Sequence, residues 1–196
     1  MTLARLLSAA AVILAVGACA APEQRIVAPP VRFADLTAYK TDATSIAIDI
    51  EDRTSREYPQ VGHLAPTTFE QAVRTWADRR FQLTGNSVNT LRITLREGRV
   101  TEKLLPIEKG VRGMVKKEAA TEYEAALSLE VAIVDANGNA IARADSATWV
   151  SRTLLEGTTT PQKEAAWVEM ISTCFDNVDR ELKGRYREYM SRYISG

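Results

Sequence analysis

The chain has 196 residues, of which 45% are hydrophobic and 26% are charged, and its formal net charge is zero. This is the balance of a soluble globular protein that is long enough to bury a core of its own. A nucleic-acid-binding protein usually carries a basic surplus or a basic stripe, and this sequence has neither, so we expect no nucleic-acid partner.

The first eighteen residues are typical of an export signal. Arg5 is followed by a mostly apolar run from Leu6 to Val16, which matches the charged and hydrophobic regions of a secretory signal peptide. A membrane-spanning helix needs about twenty apolar residues. The run is shorter than that, and Pro22 and Arg25 follow it closely, so we expect residues 1–18 to be a signal peptide.

The signal ends at a cysteine in a distinctive context. Val16, Gly17, Ala18 and Cys19 resemble the lipobox of bacterial lipoproteins, an aliphatic residue and two small residues before cysteine. The resemblance implies cleavage before Cys19 and a diacylglycerol on its thiol, with no cofactor besides this covalent lipid. It also implies a lipid-anchored position on the periplasmic face of the cell envelope, and Ala20 favours the outer membrane. The alternative is an ordinary cleaved signal with an incidental cysteine.

A tether follows the cysteine. Residues 19–32 contain Pro22, Pro29 and Pro30 and show little periodicity, which is typical of a semi-extended linker. We therefore expect one folded domain over residues 33–196, held beside the membrane.

The first half of this domain predicts a strand and a helix. Residues 44–52 alternate between apolar and polar side chains, as a half-buried strand does, and residues 53–66 form a loop. Thr67 and Glu70 have the spacing of a capping box, and Gly85 is placed to end the helix after Leu83.

Three further strands and a long helix follow. The strands are predicted around Leu91–Leu95, over 121–134 and over 140–152, with an Asn137-Gly138 turn between the last two. Apolar residues at three- and four-residue steps predict a helix from Thr160 to about Tyr193. Cys174 lies on its apolar stripe, so we expect it to be buried.

The element order predicts an α+β fold: an antiparallel sheet of about four strands with both helices on one face, in the order β-α-β-β-β-α. Lipobox, tether and one small α+β domain together resemble the small accessory lipoproteins of proteobacterial outer membranes. YajG-type lipoproteins and the auxiliary lipoproteins of envelope transport systems are the nearest analogies.

One segment, residues 103–117, is longer than a hairpin needs and alternates cations with apolar side chains. This pattern suits a lipid headgroup surface or an acidic partner. The candidate contact residues are Lys109, Arg112, Met114, Val115, Lys116 and Lys117. The alternative is a loop that folds over one end of the sheet and buries Leu105, Ile107 and Met114. The end of the last helix offers further candidates: Tyr186, Tyr189, Met190 and Tyr193.

The sequence offers no catalytic residue and no metal site. His63 is the only histidine, and after lipidation Cys174 is the only thiol, so clusters of zinc ligands are excluded. Gly110-Val111-Arg112-Gly113 matches the GxxG loop of KH domains, but the helices expected to flank it are missing. We therefore expect a non-enzymatic adaptor with an envelope protein or polymer as partner. A lipid carrier or chaperone is the alternative, followed by an enzyme that acts on envelope glycans through paired carboxylates.

Overall fold

The computed structural model describes residues 30–33, 37–105 and 120–196. They form seven strands and two long helices: β1 (Tyr39–Thr41), β2 (Ser45–Ile50), α1 (Phe69–Arg80), β3 (Phe81–Leu83), β4 (Thr90–Leu105), β5 (Ala120–Val134), β6 (Ala140–Leu155), α2 (Thr160–Tyr189) and β7 (Ile194–Ser195). A short 3-10 turn covers Gly62–Leu64. The α+β class predicted from the sequence is confirmed.

The main sheet has the strand order β2-β4-β5-β6. The long strands β4, β5 and β6 pair antiparallel, as predicted, and Asn137 and Gly138 form the turn between β5 and β6, with Gly138 at φ +86°. The expectation of a fully antiparallel sheet is wrong at one edge, because β2 pairs parallel with β4. The chain between these strands contains α1, and such a helical crossover returns the next strand in the same direction.

A second sheet, β3-β1-β7, has three short strands that the sequence pattern does not predict. It also corrects the end of α1, which stops at Arg80 and not at Leu83. Phe81–Leu83 pair in parallel with Tyr39–Thr41, so tertiary pairing takes these residues out of the helix. Gly85 lies beyond β3 at φ +70° and does not cap the helix.

The helix boundaries differ from prediction by a few residues. The N-cap of α1 is Thr68, whose hydroxyl accepts from Gln71 N at 3.3 Å, so the capping box is one residue later than the predicted one. Helix α2 begins at Thr160 as predicted but ends at Tyr189 rather than Tyr193. The chain turns after α2 because Ile194 pairs with β1.

Both helices pack on one face of the main sheet, which confirms the predicted layering. The apolar side chains that alternate along the three long strands form the core together with those of the helices: Leu91, Ile93, Leu95, Tyr123, Leu127, Leu129, Val131, Ile133, Trp76, Ile171, Phe175 and Leu182. Gly98 permits the closest approach, because a Cβ there would lie 2.6 Å from Phe69 Cβ.

The start of the described chain packs on the helical layer. The Phe33 ring meets the Phe175 ring edge-on, with centroids 5.4 Å apart, and Val31 is buried. Arg32 N donates to Ser172 Oγ at 3.3 Å. Residues 31–33 therefore lie on the helical face, and the opposite face of the sheet, which we call the open face, has no described element on it.

Candidate functional site

The residues that the sequence nominated most strongly lie outside the described residues. These are the lipidation site Cys19 and the contact candidates Lys109, Arg112, Met114, Val115, Lys116 and Lys117. The structure does describe the two points between which this segment runs, Leu105 at the end of β4 and Ala120 at the start of β5.

These two points belong to an apolar end of the main sheet, which we call the distal end: Leu104, Leu105, Ala120, Leu154 and Leu155. The register places Leu104 and Leu105 opposite Thr121 and Ala120, which lie opposite Leu154 and Leu155. Leu104 is 70% exposed and Leu155 is 59% exposed. Leu104 shares one face of the sheet with Leu154, and Leu155 shares the other with Leu105, so exposed leucines stand on both sides of this end. Such leucines indicate a surface that another molecule can cover.

A depression of about 360 Å³ lies at the distal end, lined by its leucines together with Tyr123 and Lys163. Tyr123 forms its floor, because the ring is buried edge-on against Trp167 at 5.6 Å. The opposite end of the long strands is different: the Asp135 carboxylate accepts from Asn137 N and Asn139 N and closes a compact polar turn. The two ends of the sheet therefore present different chemistry.

The open face carries ion pairs that neutralise one another. Arg96 contacts Glu130 at 2.5 Å, and Arg99 contacts Glu97 at 2.5 Å and Glu124 at 3.0 Å. The hydrogen bond from Arg99 to Glu97 raises the pKa of the Arg99 guanidinium. Such pairs leave little net charge with which to attract a polyanion or an anionic membrane.

One large apolar side chain interrupts this polar surface. Trp149, in the middle of β6, is 66% exposed, whereas Trp76 and Trp167 are buried. The sequence pattern places Trp149 in a strand but does not place it on the surface. A signal was present: Trp149 and Val150 are neighbours in a strand with one covered face, so one of them must point outward.

The candidate contacts at the end of α2 separate into two kinds. Tyr186 and Met190 are buried, and the Tyr186 ring packs edge-on against Tyr39 with centroids 5.2 Å apart. These two residues hold α2 to the small sheet. Tyr189 is 58% exposed and Tyr193 is half-buried, so only these two could meet a partner.

His63 lines a cavity of about 160 Å³ between the end of β2, the bulged part of β4 and the start of α1. Arg99 and Glu70 share this cavity, but Arg99 is paired with Glu97 and Glu124, and Glu70 with Arg74. His63 has no hydrogen bond or ion pair within the described residues. General base catalysis needs a base within reach of a nucleophile, and no described hydroxyl or thiol is hydrogen-bonded to His63.

Cys174 is fully buried, as predicted, and its thiol points to the Ala125 carbonyl oxygen at 3.6 Å. Burial raises its pKa to about 12, so the thiol stays protonated at neutral pH. A protonated buried thiol is inert, which fits packing rather than catalysis.

Residues 30–33, 37–105 and 120–196 contain no group of three or more His, Cys, Asp or Glu side chains placed to hold a metal ion. Across the same ranges, no helix combines the length and the apolar character needed to cross a bilayer.

No protein-family model and no curated protein matches the chain. Three of the solved structures that match share part of its fold. A minor lipoprotein from Acinetobacter baumannii is 11% identical with a TM-score of 0.37, over 78% of this chain and 96% of the other. A candidate lipoprotein from Caulobacter crescentus is 17% identical with a TM-score of 0.32, over 69% and 83%.

The third is the PelC dodecamer from Paraburkholderia phytofirmans, 17% identical with a TM-score of 0.23, over 70% of this chain and 90% of the other. With every TM-score below 0.5, the overlap of folds is partial and says nothing about function.

Proposed function

We propose that the chain is a lipid-anchored, non-enzymatic accessory protein of the bacterial cell envelope that docks an envelope protein at its distal end. The observation that supports this best is that Leu104 and Leu155, two exposed leucines, both line the depression at the end of the sheet, beside Leu105 and Ala120, which flank the predicted contact segment. Apolar side chains beside cations suit a partner surface with both apolar and acidic groups.

The anchor part of the proposal rests on the lipobox at Cys19. Each buried CH₂ group contributes about 0.8 kcal/mol to membrane binding, so two or more acyl chains hold a protein on a bilayer. Ten residues separate Cys19 from Pro30. Ten residues span at most about 35 Å, so the domain stays close to the membrane, on the periplasmic side and in the outer membrane if Ala20 sorts the chain as expected.

The docking part rests on the composition of the distal end and of the segment beside it. Lys163 lines the depression, and Lys103 lies on β4 next to the exposed Leu104. The segment between β4 and β5 adds the cations Lys109, Arg112, Lys116 and Lys117 and the apolar Met114 and Val115. A partner that buries the leucines and pairs its carboxylates with these cations gains both kinds of contact.

The anchor is tested by labelling cells with radioactive palmitate and fractionating their envelopes. We expect label on the wild-type chain in the outer-membrane fraction. We expect no label on Cys19→Ser and its loss from that fraction. Palmitate-free wild-type protein, or an unchanged distribution of Cys19→Ser, would overturn the anchor.

Docking is tested by chemical cross-linking in intact envelopes followed by mass spectrometry. A Leu104→Ser/Leu155→Ser variant and a Met114→Ser/Val115→Ser variant are each expected to lose the cross-linked partner. Ile141→Ser is the matched control, because Ile141 is also exposed on β6 but lies at its other end. Cross-links that survive both double substitutions, or that Ile141→Ser removes equally, would contradict docking at the distal end.

The depression beside Tyr123 favours one second candidate, a carrier or chaperone for a lipid. Its volume of about 360 Å³ and its leucine lining suit part of an acyl chain. This function predicts bound lipid in native mass spectra of the purified protein. The lipid should disappear from Leu105→Lys and stay in Ile141→Ser.

A further inference from the structure

We propose that two copies of this chain pair through β6, edge to edge and antiparallel, along the segment Ser146–Ser151, which we call the β6 edge segment. The proposal begins with the unpaired edges of the main sheet. An edge strand leaves its outward N–H and C=O groups without strand partners, and proteins usually shorten, cover or charge such edges.

The chain protects the other edge of this sheet. Strand β2 is short, and beyond its end the edge of β4 is covered by the loop before α1: Val61 N donates to Val100 O at 2.8 Å, and Glu102 N donates to Pro59 O at 2.9 Å. The edge at β6 is different, because β6 spans sixteen residues and pairs only with β5 in the described chain.

The middle of β6 carries none of the usual protections. The β6 edge segment reads SATWVS, without charge, proline or glycine, and its pairing with β5 runs without a bulge. The charged residues Asp145 and Arg152 stand immediately outside it. Trp149, at its centre, leaves two-thirds of its surface in solvent.

The segment is complementary to itself in the antiparallel direction. With a two-fold axis at Thr148, Trp149 lies opposite Ala147 of the second copy, a large side chain beside a small one, and Thr148 lies opposite Thr148. Thr–Thr pairs directly opposite one another favour strand pairing.

The position of the tether favours a second copy over an unrelated strand, and this step rests on the proposed lipid anchor. A two-fold axis perpendicular to the sheet keeps both helical layers on the same side. Residues 31–33 pack on that layer, at Ser172 and Phe175. Residues 31–33 of both copies therefore lie on the same side of the paired sheet, where one bilayer can hold both lipid anchors, and confinement at a bilayer raises the effective concentration of each copy for the other.

One side chain limits the length of the pairing. Arg185 extends from α2, on the helical face, to Asp145, on the open face, with Nη1 3.8 Å from Oδ2. It must cross the free edge of β6 to do so, because β6 has no strand beyond it. Arg185 thus covers the edge at Asp145, whereas the side chains from Ala147 to Ser151 are exposed or half-buried.

A cysteine on the proposed axis tests the arrangement directly. Opposed residues of an antiparallel pair have Cα atoms about 4.5–5.5 Å apart, within the range of about 4.4–6.8 Å that a disulfide spans. The full chain carrying Thr148→Cys, in membranes under mild oxidation, should give a disulfide-linked dimer. Ser151→Cys is the matched control, because the pairing places it opposite Asp145, and it should remain monomeric.

Sedimentation of the purified full chain in detergent gives a second readout. We expect a wild-type dimer, an association about tenfold weaker for Trp149→Lys, and no change for Leu155→Lys, which lies on β6 outside the segment. Equal cross-linking at positions 148 and 151, a monomeric wild-type chain, or a dimer that Trp149→Lys leaves intact would overturn the proposal. Failure of the lipid anchor would show instead in the fractionation of Cys19→Ser, and sedimentation of the purified chain would still report whether β6 pairs.

Discussion

Arg80 and Asp179 form a two-point ion pair between α1 and α2: Arg80 Nε lies 2.6 Å from Asp179 Oδ1, and Nη2 donates to Oδ2 at 2.8 Å. The Arg80 side chain is only 5% exposed and stacks on the Tyr39 ring, 3.9 Å from its centroid. Its remaining nitrogen donates to the Thr37 carbonyl oxygen. One guanidinium therefore joins both helices to the chain that enters the small sheet.

Arg80→Met should destabilise the domain by about 3–5 kcal/mol at neutral pH, because it leaves the Asp179 carboxylate buried without its cation. Burial already raises the pKa of Asp179, and the loss of Arg80 removes the main opposing influence. A carboxyl group whose pKa is higher in the folded than in the unfolded protein destabilises the fold when it is ionised. The stability lost by Arg80→Met should therefore shrink as the pH falls through the pKa of Asp179 in the folded protein.

Urea unfolding at several pH values measures this effect. Arg79→Met, on the exposed side of α1, is the control and should change stability little. A deficit that stays constant with pH, or that Arg79→Met reproduces, would show that the charge of Asp179 is not the cause.

Two substitutions of glycine by alanine should change the free energy of unfolding in opposite directions. Gly98→Ala places a methyl group 2.6 Å from Phe69 Cβ, at the contact between β4 and α1, and should cost about 1–3 kcal/mol. Gly184→Ala meets nothing within 4 Å inside α2 and should stabilise by about 0.5–1 kcal/mol. Thermal unfolding of both variants measures these effects. A Gly98→Ala variant as stable as the wild type would contradict the close contact between position 98 and Phe69.

The thiol count should report both burial and lipidation. A buried thiol with a pKa of about 12 should not react with Ellman's reagent at pH 8 in the folded protein. If Cys19 is lipidated, protein isolated from envelopes and unfolded in guanidinium should show one reactive thiol, that of Cys174. Two thiols would contradict the anchor, and one reactive thiol before unfolding would contradict the burial of Cys174.

The β5–β6 turn should depend on the charge of Asp135. Hydrogen bonds from Asn139 and Asn137 lower the pKa of its carboxyl in the folded protein. The ionised carboxylate therefore stabilises the turn at pH values above the pKa that Asp135 has in the unfolded chain. This stabilisation is lost as the pH falls through the lower pKa of the folded protein. NMR titration should give Asp135 a pKa below that of an unfolded aspartate. Asp135→Ala should speed amide exchange at Asn137 and Asn139 above that pH, and a control substitution at exposed Asn86 should not.

Most of the main sheet could be predicted from the sequence because its signals are local. Alternation along Leu91–Leu95 and 121–134, together with the Asn137-Gly138 turn, indicates the long antiparallel strands without knowledge of the fold. The small sheet carried no such signal. Phe81–Leu83 continue a helical pattern and become a strand only because Tyr39–Thr41 lie beside them, and pairing between distant segments overrides local preference.

The candidate site was predictable only in part for the same reason. The sequence marked the segment that joins β4 to β5, but it could not show that Leu104 and Leu155 are exposed at the same end of the sheet, since this depends on the register of three strands. It placed Tyr186 and Trp149 in the correct elements. Which of them is buried depends on the position of α2 and on β6 being the edge strand.

The small sheet has a mechanical consequence. Its central strand, β1, is the first strand after residues 30–33, and it is hydrogen-bonded on one side to β3, which continues α1, and on the other to β7, which follows α2. Tension applied through the N-terminal end of the chain therefore loads both helices at once, so a pull from the bilayer is shared across the core rather than peeling away a single strand.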